Sequence, residues 1–549
     1  MPHTDDTISP KGIWMGDPKD VTVGEDALQA AVSAIGQPLY VVLRQDGQTA
    51  VTSQGTVTLG DFREAASGEM PLLAFAPAVL PQDMGDASFK RDLGLQYAYI
   101  VGAMANGITS VEMVSAAGRA GMMGFFGAGG LSLEQIEAAV DALKATGDNF
   151  PYGFNLIHSP NNMRLEMDTA ELYLRKGVRR VSASAYLGLT LPLVYYRVKG
   201  IHRAVDGRII CPNHVIAKVS RMEVAAKFFA PPPHNLLAQL VQMGKITDDE
   251  AHLSQHIPMA QDITAEADSG GHTDNRPALT LLPTIFATRD QAKRQYGFDM
   301  PLRVGLGGGI ATPESVCAAF AMGAAYVLTG SINQAAVEAD TSIAVKEMLG
   351  KAQQADVTMA PAADMFELGA RVQVLKRGTM FAMRGAKLYE LYRAYDHYGL
   401  IPEEIRTSIE RDMLHSSFDE AWDRTRQYFE TCDPGQIKRA EKDPKHKMAL
   451  VFRSYLGQAS LWAKTGLADR RIDYQIWCGP AMGAFNAWVK GSFLESIEHR
   501  HTHVMAMNLM YGAVRLMRCQ WLSNQGFMLP EMVRNCGPLS LAEIQQRVL

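Results

Sequence analysis

The stretch LRVGLGGGIATPESVCAAFAMGAAYVLTGS, residues 302–331, decides the fold. LRVGLGGG (302–309) is a short apolar run that ends in three glycines. TPESVCAAFAMGA follows, with Thr at the cap position and Pro just inside, the signature of a helix start. YVLTGS (326–331) is a second apolar run, closed by a glycine and a hydroxyl. Strand, helix and strand at this spacing make one βαβ unit of a parallel sheet.

The same alternation extends back to residue 97. YAYIVGAMA (97–105), MMGFFGA (122–128), YGFNLI (152–157), RRVSASA (179–185), IICPNHVIAKV (209–219) and MAQDITAEA (259–267) read as strands. Segments such as SVEMVSAAGRAG and SLEQIEAAVDALKATG between them read as capped helices. With the two runs above, the strands number eight over residues 97–331. That repeat predicts an α/β fold of the closed (β/α)8, TIM-barrel type rather than an open sheet. The fifth connection, 220–257, is long and broken by APPPHN, so an insertion is expected there.

Outside the barrel the pattern changes. PLYVVLR and TAVTSQ flank QDGQ, a hairpin with a D-G turn, so residues 1–65 read as a small N-terminal β unit. PLLAFAPAVLP (71–81) reads as an extended, Pro-punctuated connection into the barrel domain, 66–344. Beyond it no strand pattern is expected, and 345–549 is predicted as a mostly helical region that packs on the barrel or covers its mouth.

Composition narrows the function class. A net charge of −5 argues against nucleic acid as the main partner. No apolar run reaches the roughly 20 residues of a membrane span, and MPHTDDTISP lacks a signal peptide's basic and apolar regions. The six cysteines form no CxxC pair, which fits a reducing, cytoplasmic setting without a zinc or disulfide framework. His499, His501 and His503 lack an HExxH pattern and read as packing or exposed histidines. The basic IKRAEKDPKHK (437–447) reads as a solvated loop.

In such a barrel, chemistry sits at the C-terminal strand ends. Gly308 and Gly309 after the seventh strand, with Gly330 and Ser331 after the eighth, match a phosphate site. Glycine lets backbone approach an anion, and the following helix start is expected to offer free N–H groups. Gly102, Ala103 and Met104 after the first strand make a flat wall for a ring. Asn155 on the third strand and Lys218 on the fifth bring polar groups to the rim. EADSGGHTDN (266–275) follows the sixth. Gly270 and Gly271 are read as allowing close approach of a ring or substrate, and His272 as an acid/base beside it.

GAMANG, GFNLI, EADSGGH, GLGGGI and LTGS resemble the flavin barrel family of nitronate monooxygenases and flavin enoyl reductases. FELGARVQVLKRGTMFAMRGAKLYELY and DYQIWCGPAMGAFNAWVKGS carry a closer resemblance, to PfaD-type trans-acting enoyl reductases of polyunsaturated-fatty-acid and polyketide synthases. The resemblance implies FMN, NADPH, an enoyl thioester on an acyl carrier protein, and His272 as proton donor or carbonyl polariser. It leaves the oligomeric state open, a homodimer included. A nitronate monooxygenase and a non-catalytic flavin-holding scaffold are the alternatives. An IMP-dehydrogenase-like enzyme is set aside, because no cysteine lies between Cys211 and Cys317.

Overall fold

The structure, a computed structural model, describes residues 9–60, 63–159 and 163–548. Eight parallel strands close into a barrel: Tyr99–Val101, Met123–Phe126, Tyr152–Ile157, Arg180–Ser184, His214–Val219, Asp262–Glu266, Arg303–Gly307 and Val327–Thr329. Each expected strand is present. Burial on both faces explains why they read as unbroken apolar runs. The helix starts also hold: Ser110 accepts from the Met113 N–H, and Ser132 forms a capping box with Gln135. Closure comes from pairing of the last strand with the first, Val327 opposite Tyr99.

Other segments depart from the sequence reading. The strand expected from residue 209 begins at His214. Ile209–Ile210 instead pairs with His202–Arg203 in a separate two-stranded hairpin. PLLAFAPAVLP is no mere connection. Its first half lies in the strand Glu69–Ala76, which sits inside the N-terminal six-stranded sheet between Leu39–Leu43 and Gly12–Met15. The predicted D-G turn is there, with Gly47 at φ 79° and the Arg44 N–H donating to the Gln48 carbonyl at 2.9 Å.

The C-terminal region is not free of strands. Val357–Pro361 and Arg371–Leu375 form an antiparallel pair, and Gly271–His272 adds to its edge, with His272 opposite Val372. That region also serves two places. Residues 360–459 build a second apolar core, and this part of the chain lends Arg453, Gly457 and Ser460 to the barrel mouth. The helix Thr502–Asn524 packs instead beside Pro313–Ala321 and reaches the N-terminal unit. There the buried Arg518 donates to the carbonyls of Ile35 and Gln37, at 3.0 and 2.7 Å.

The fifth connection does carry an insertion, the helices His234–Gln242 and Asp248–Ser254. Among the described residues no helix is long and apolar enough to cross a membrane.

Candidate active site

A cavity of about 570 Å3 opens at the C-terminal ends of the barrel strands. Every site residue named from the sequence lines it: Gly102, Ala103, Met104, Asn155, Lys218, Gly270, Gly271, His272, Gly308, Gly309, Gly330 and Ser331.

The glycines play different parts. A Cβ on Gly309 or Gly330 would meet nothing within 4 Å, so both backbones face open space. Among the described residues no protein group accepts from the N–H of Gly309, Ile310, Gly330 or Ser331. Unpaired N–H groups around a space cleared of side chains can hold an anion. The helix after the seventh strand contributes less than expected. The N–H groups of Ala311 and Thr312 both donate to the Ser315 hydroxyl, at 2.9 and 3.0 Å, and are not free.

Gly308 is required by the chain itself, since a Cβ there would lie 2.5 Å from the Ala267 carbonyl oxygen, at φ 83°. Gly270 answers to another neighbour. Its Cβ would lie 2.9 Å from the Cys478 nitrogen, so its bareness admits the Cys478–Gly479 backbone.

The first-strand wall is braced from behind. Thr109 donates to the Gly102 carbonyl and accepts from the Met104 N–H, each at 2.8 Å. Asn155 is buried, and its Oδ1 accepts from the Ala128 N–H at 2.6 Å. That bond turns the amide so that Nδ2 remains for a ligand. Lys218 Nζ lies 2.7 Å from Glu266 Oε1, which fixes the ammonium at the cavity wall.

His272 Nε2 lies 3.1 Å from Asp364 Oδ2. Burial disfavours a charged imidazole, but Asp364 and then Glu266 outweigh it, so the His272 pKa is held above its ordinary value. Burial likewise works against ionised Asp364, and His272 prevails, holding that carboxyl below its usual range.

A family model described as nitronate monooxygenase matches residues 88–388, and one for the PfaD N-terminal domain of a fatty acid synthase subunit matches 14–78. A third, the inserted helical domain of acyl-carrier-protein S-malonyltransferase, matches 395–474. The chain belongs to the nitronate monooxygenase family, in its PfaD-type branch.

Among its relatives is a polyunsaturated fatty acid synthase subunit of Thraustochytrium sp., 41% identical over 529 residues, 95% of this chain and 34% of that protein. Polyketide biosynthesis protein PksE of Bacillus subtilis is 46% identical over 433 residues, 79% of this chain and 56% of that one. The chain thus spans between a third and just over half of these relatives' lengths. The enoyl reductase domain of MlnA, from the macrolactin cluster of Bacillus amyloliquefaciens, superposes with a TM-score of 0.77. It is 40% identical, covering 81% of this chain and 99% of that one. This PfaD-type chain is therefore enoyl-reductase-like in fold.

Several residues of the PfaD-type cavity were missed in the sequence: Glu266, Asp364, Trp477, Arg453 and the pair His158–Glu166. Glu266 carried a signal, since it ends the strand that pairs with the one bearing Lys218. Asp364 and Trp477 carried none, being brought in by tertiary packing alone.

The histidine-rich turn divides its histidines between two elements. His499 ends the 3-10 turn Ile497–His499, and His503 sits in the next helix. His501 Nδ1 pairs with Glu338 at 3.1 Å, and no metal-binding cluster occurs among the described residues. Nor is 437–447 a plain solvated loop. It spans two helix ends, and its His446 is buried between Glu367 and Gln436, each at 2.9 Å.

Proposed function

We propose that this chain is a trans-acting enoyl reductase, using FMN and NADPH to reduce a trans-2-enoyl thioester carried on an acyl carrier protein. One observation carries the reading: the uncapped glycine ends of the last two barrel strands open on the same cavity as the His272–Asp364 pair. The residues fit FMN. Gly309, Gly330 and Ser331 would hold its phosphate, Gly102–Met104 would back its ring, and Asn155 and Lys218 would meet the ring's polar edge. Bound there, FMN would supply two-electron hydride chemistry between NADPH and the enoyl group.

The chain's own residues do the rest. His272 holds the proton that the α-carbon must gain, and Asp364 favours the protonated imidazole. Lys218, paired with Glu266, places a positive charge beside the ring without leaving it unpaired. The strand pairing at Gly271–His272 fixes the acid on the covering hairpin rather than on a free loop. Synthase relatives, a polyunsaturated fatty acid synthase subunit and a polyketide biosynthesis protein, support an acyl substrate presented by a multienzyme.

The test is spectroscopic. Protein loaded with FMN should bleach with NADPH under nitrogen and recover its colour when an enoyl carrier protein is added. A preparation that stays colourless after incubation with excess FMN sinks the reading. Flavin that is bleached by a nitronate under nitrogen, but not by NADPH, assigns the chain to nitronate oxidation instead.

A further inference from the structure

A second imidazole lines the same cavity and takes no part in the chemistry above. His158 follows the third barrel strand, whereas His272 follows the sixth. Its Nδ1 lies 3.3 Å from Glu166 Oε2, and its ring stacks on Tyr186 with centroids 5.4 Å apart. Glu166 is 2% exposed. It accepts from the Tyr186 hydroxyl at 2.9 Å, the Ser159 N–H at 3.2 Å and the Thr190 hydroxyl. Burial opposes its ionisation, but His158 and these donors outweigh it, and the carboxyl titrates below its ordinary range.

An ionised carboxylate only accepts, so Nδ1 of His158 carries a hydrogen. In the neutral ring Nε2 then presents a lone pair. Among the described residues no group bonds to that Nε2. The two imidazoles of the cavity are held through different nitrogens: His272 through Nε2 by Asp364, and His158 through Nδ1 by Glu166, which leaves Nε2 of His158 for a ligand. A braced acceptor in a ligand cavity selects for a hydrogen-bond donor, because an unpaired partner is expensive to bury.

We infer that His158 is a specificity-determining residue that accepts an amide N–H from a ligand through Nε2. The inference rests on the enoyl reductase reading, which brings two such amides into the cavity: the carboxamide of NADPH and the amides of the pantetheine arm bearing the acyl group.

The experiment uses FMN-loaded protein and binding constants for NADP+ and for acetyl-pantetheine, measured by calorimetry, with kcat and KM alongside. His158→Phe keeps the ring on Tyr186 and removes the acceptor, while His158→Gln restores one. The Phe variant should weaken one of the two ligands about tenfold, with kcat nearly unchanged, and the Gln variant should recover most of it. Weaker NADP+ identifies the carboxamide as the donor, and weaker acetyl-pantetheine identifies the arm. Equal affinities in wild type and His158→Phe overturn the inference, as does loss of FMN as the main effect. Wild-type protein that binds neither ligand overturns both this inference and the reading beneath it.

Discussion

His272 Nε2 stands 3.1 Å from Asp364 Oδ2, although the two residues are 92 positions apart in the chain. One follows a barrel strand, and the other lies between the strands of the covering pair Val357–Pro361 and Arg371–Leu375. Pairing of His272 with Val372 holds the two parts in register. The strength of the candidate acid is thus set by an element outside the barrel.

Replacing that carboxylate should change the pH profile. His272 has a folded-state pKa above the ordinary 6.5, so the protonated form persists below the raised value and is lost as pH rises through it. Asp364→Asn removes the charge and lowers that pKa. The alkaline limb of kcat/KM should move to lower pH, with FMN absorbance intact. The same sign applies to stability: the pairing's contribution is complete below pH 6.5 and fades above it. An alkaline limb that does not move removes Asp364 from this role.

His272→Ala should leave FMN bound and slow enoyl reduction by about 10²–10⁴-fold, the usual worth of a positioned acid. NADPH bleaching of the flavin should proceed at the wild-type rate, since that half-reaction needs no proton on the acyl group. Equal slowing of both half-reactions would mean that the imidazole shapes the cavity rather than supplying the proton.

The glycines separate binding from folding. Gly330→Ala adds a methyl group to open space, so its melting temperature should stay near wild type while FMN affinity falls about tenfold. Gly308→Ala drives a Cβ against the Ala267 carbonyl at positive φ and should cost about 1–3 kcal/mol of stability. Absorbance of the bound flavin and thermal melts read the two effects apart. A colourless but equally stable Gly308→Ala protein would reverse the assignment.

What could be read from the sequence follows from how local each signal is. Barrel strands are short apolar runs between capped helices, and Ser110, Ser132 and Thr312 mark helix starts by chemistry within three residues. RVQVL (371–375) alternates in period two and carries a strand signal, but it sits among helix formers that mask it. Pro71 and Pro77 hide the strand Glu69–Ala76 in the same way. The bareness of Gly270 was legible, but its cause was not. Cys478 arrives from more than two hundred residues away, and no local pattern encodes that contact.

The opposite end of the barrel offers a test of stability that leaves the cavity alone. Asp262 and Arg303 begin the sixth and seventh strands, whereas Glu266 and Gly307 end them at the cavity side. Asp262 is fully buried, with Arg303 Nε at 2.7 Å from one oxygen and His214 Nε2 at 2.6 Å from the other. Arg303 also reaches Asp92 at 2.8 Å. Burial raises the cost of that carboxylate, and His214 and Arg303 together keep its pKa below the ordinary range. Arg303→Met strips one partner from a charge that water cannot reach, and should destabilise by about 3–5 kcal/mol in chemical denaturation. Adding Asp262→Leu removes the stranded charge and should recover a large part of the loss. Folded molecules of either variant should bind FMN with wild-type affinity, because the network and the glycine cradle lie at opposite ends of the same strands. Loss of FMN affinity in proportion to loss of stability would show instead that the two ends are coupled through the barrel.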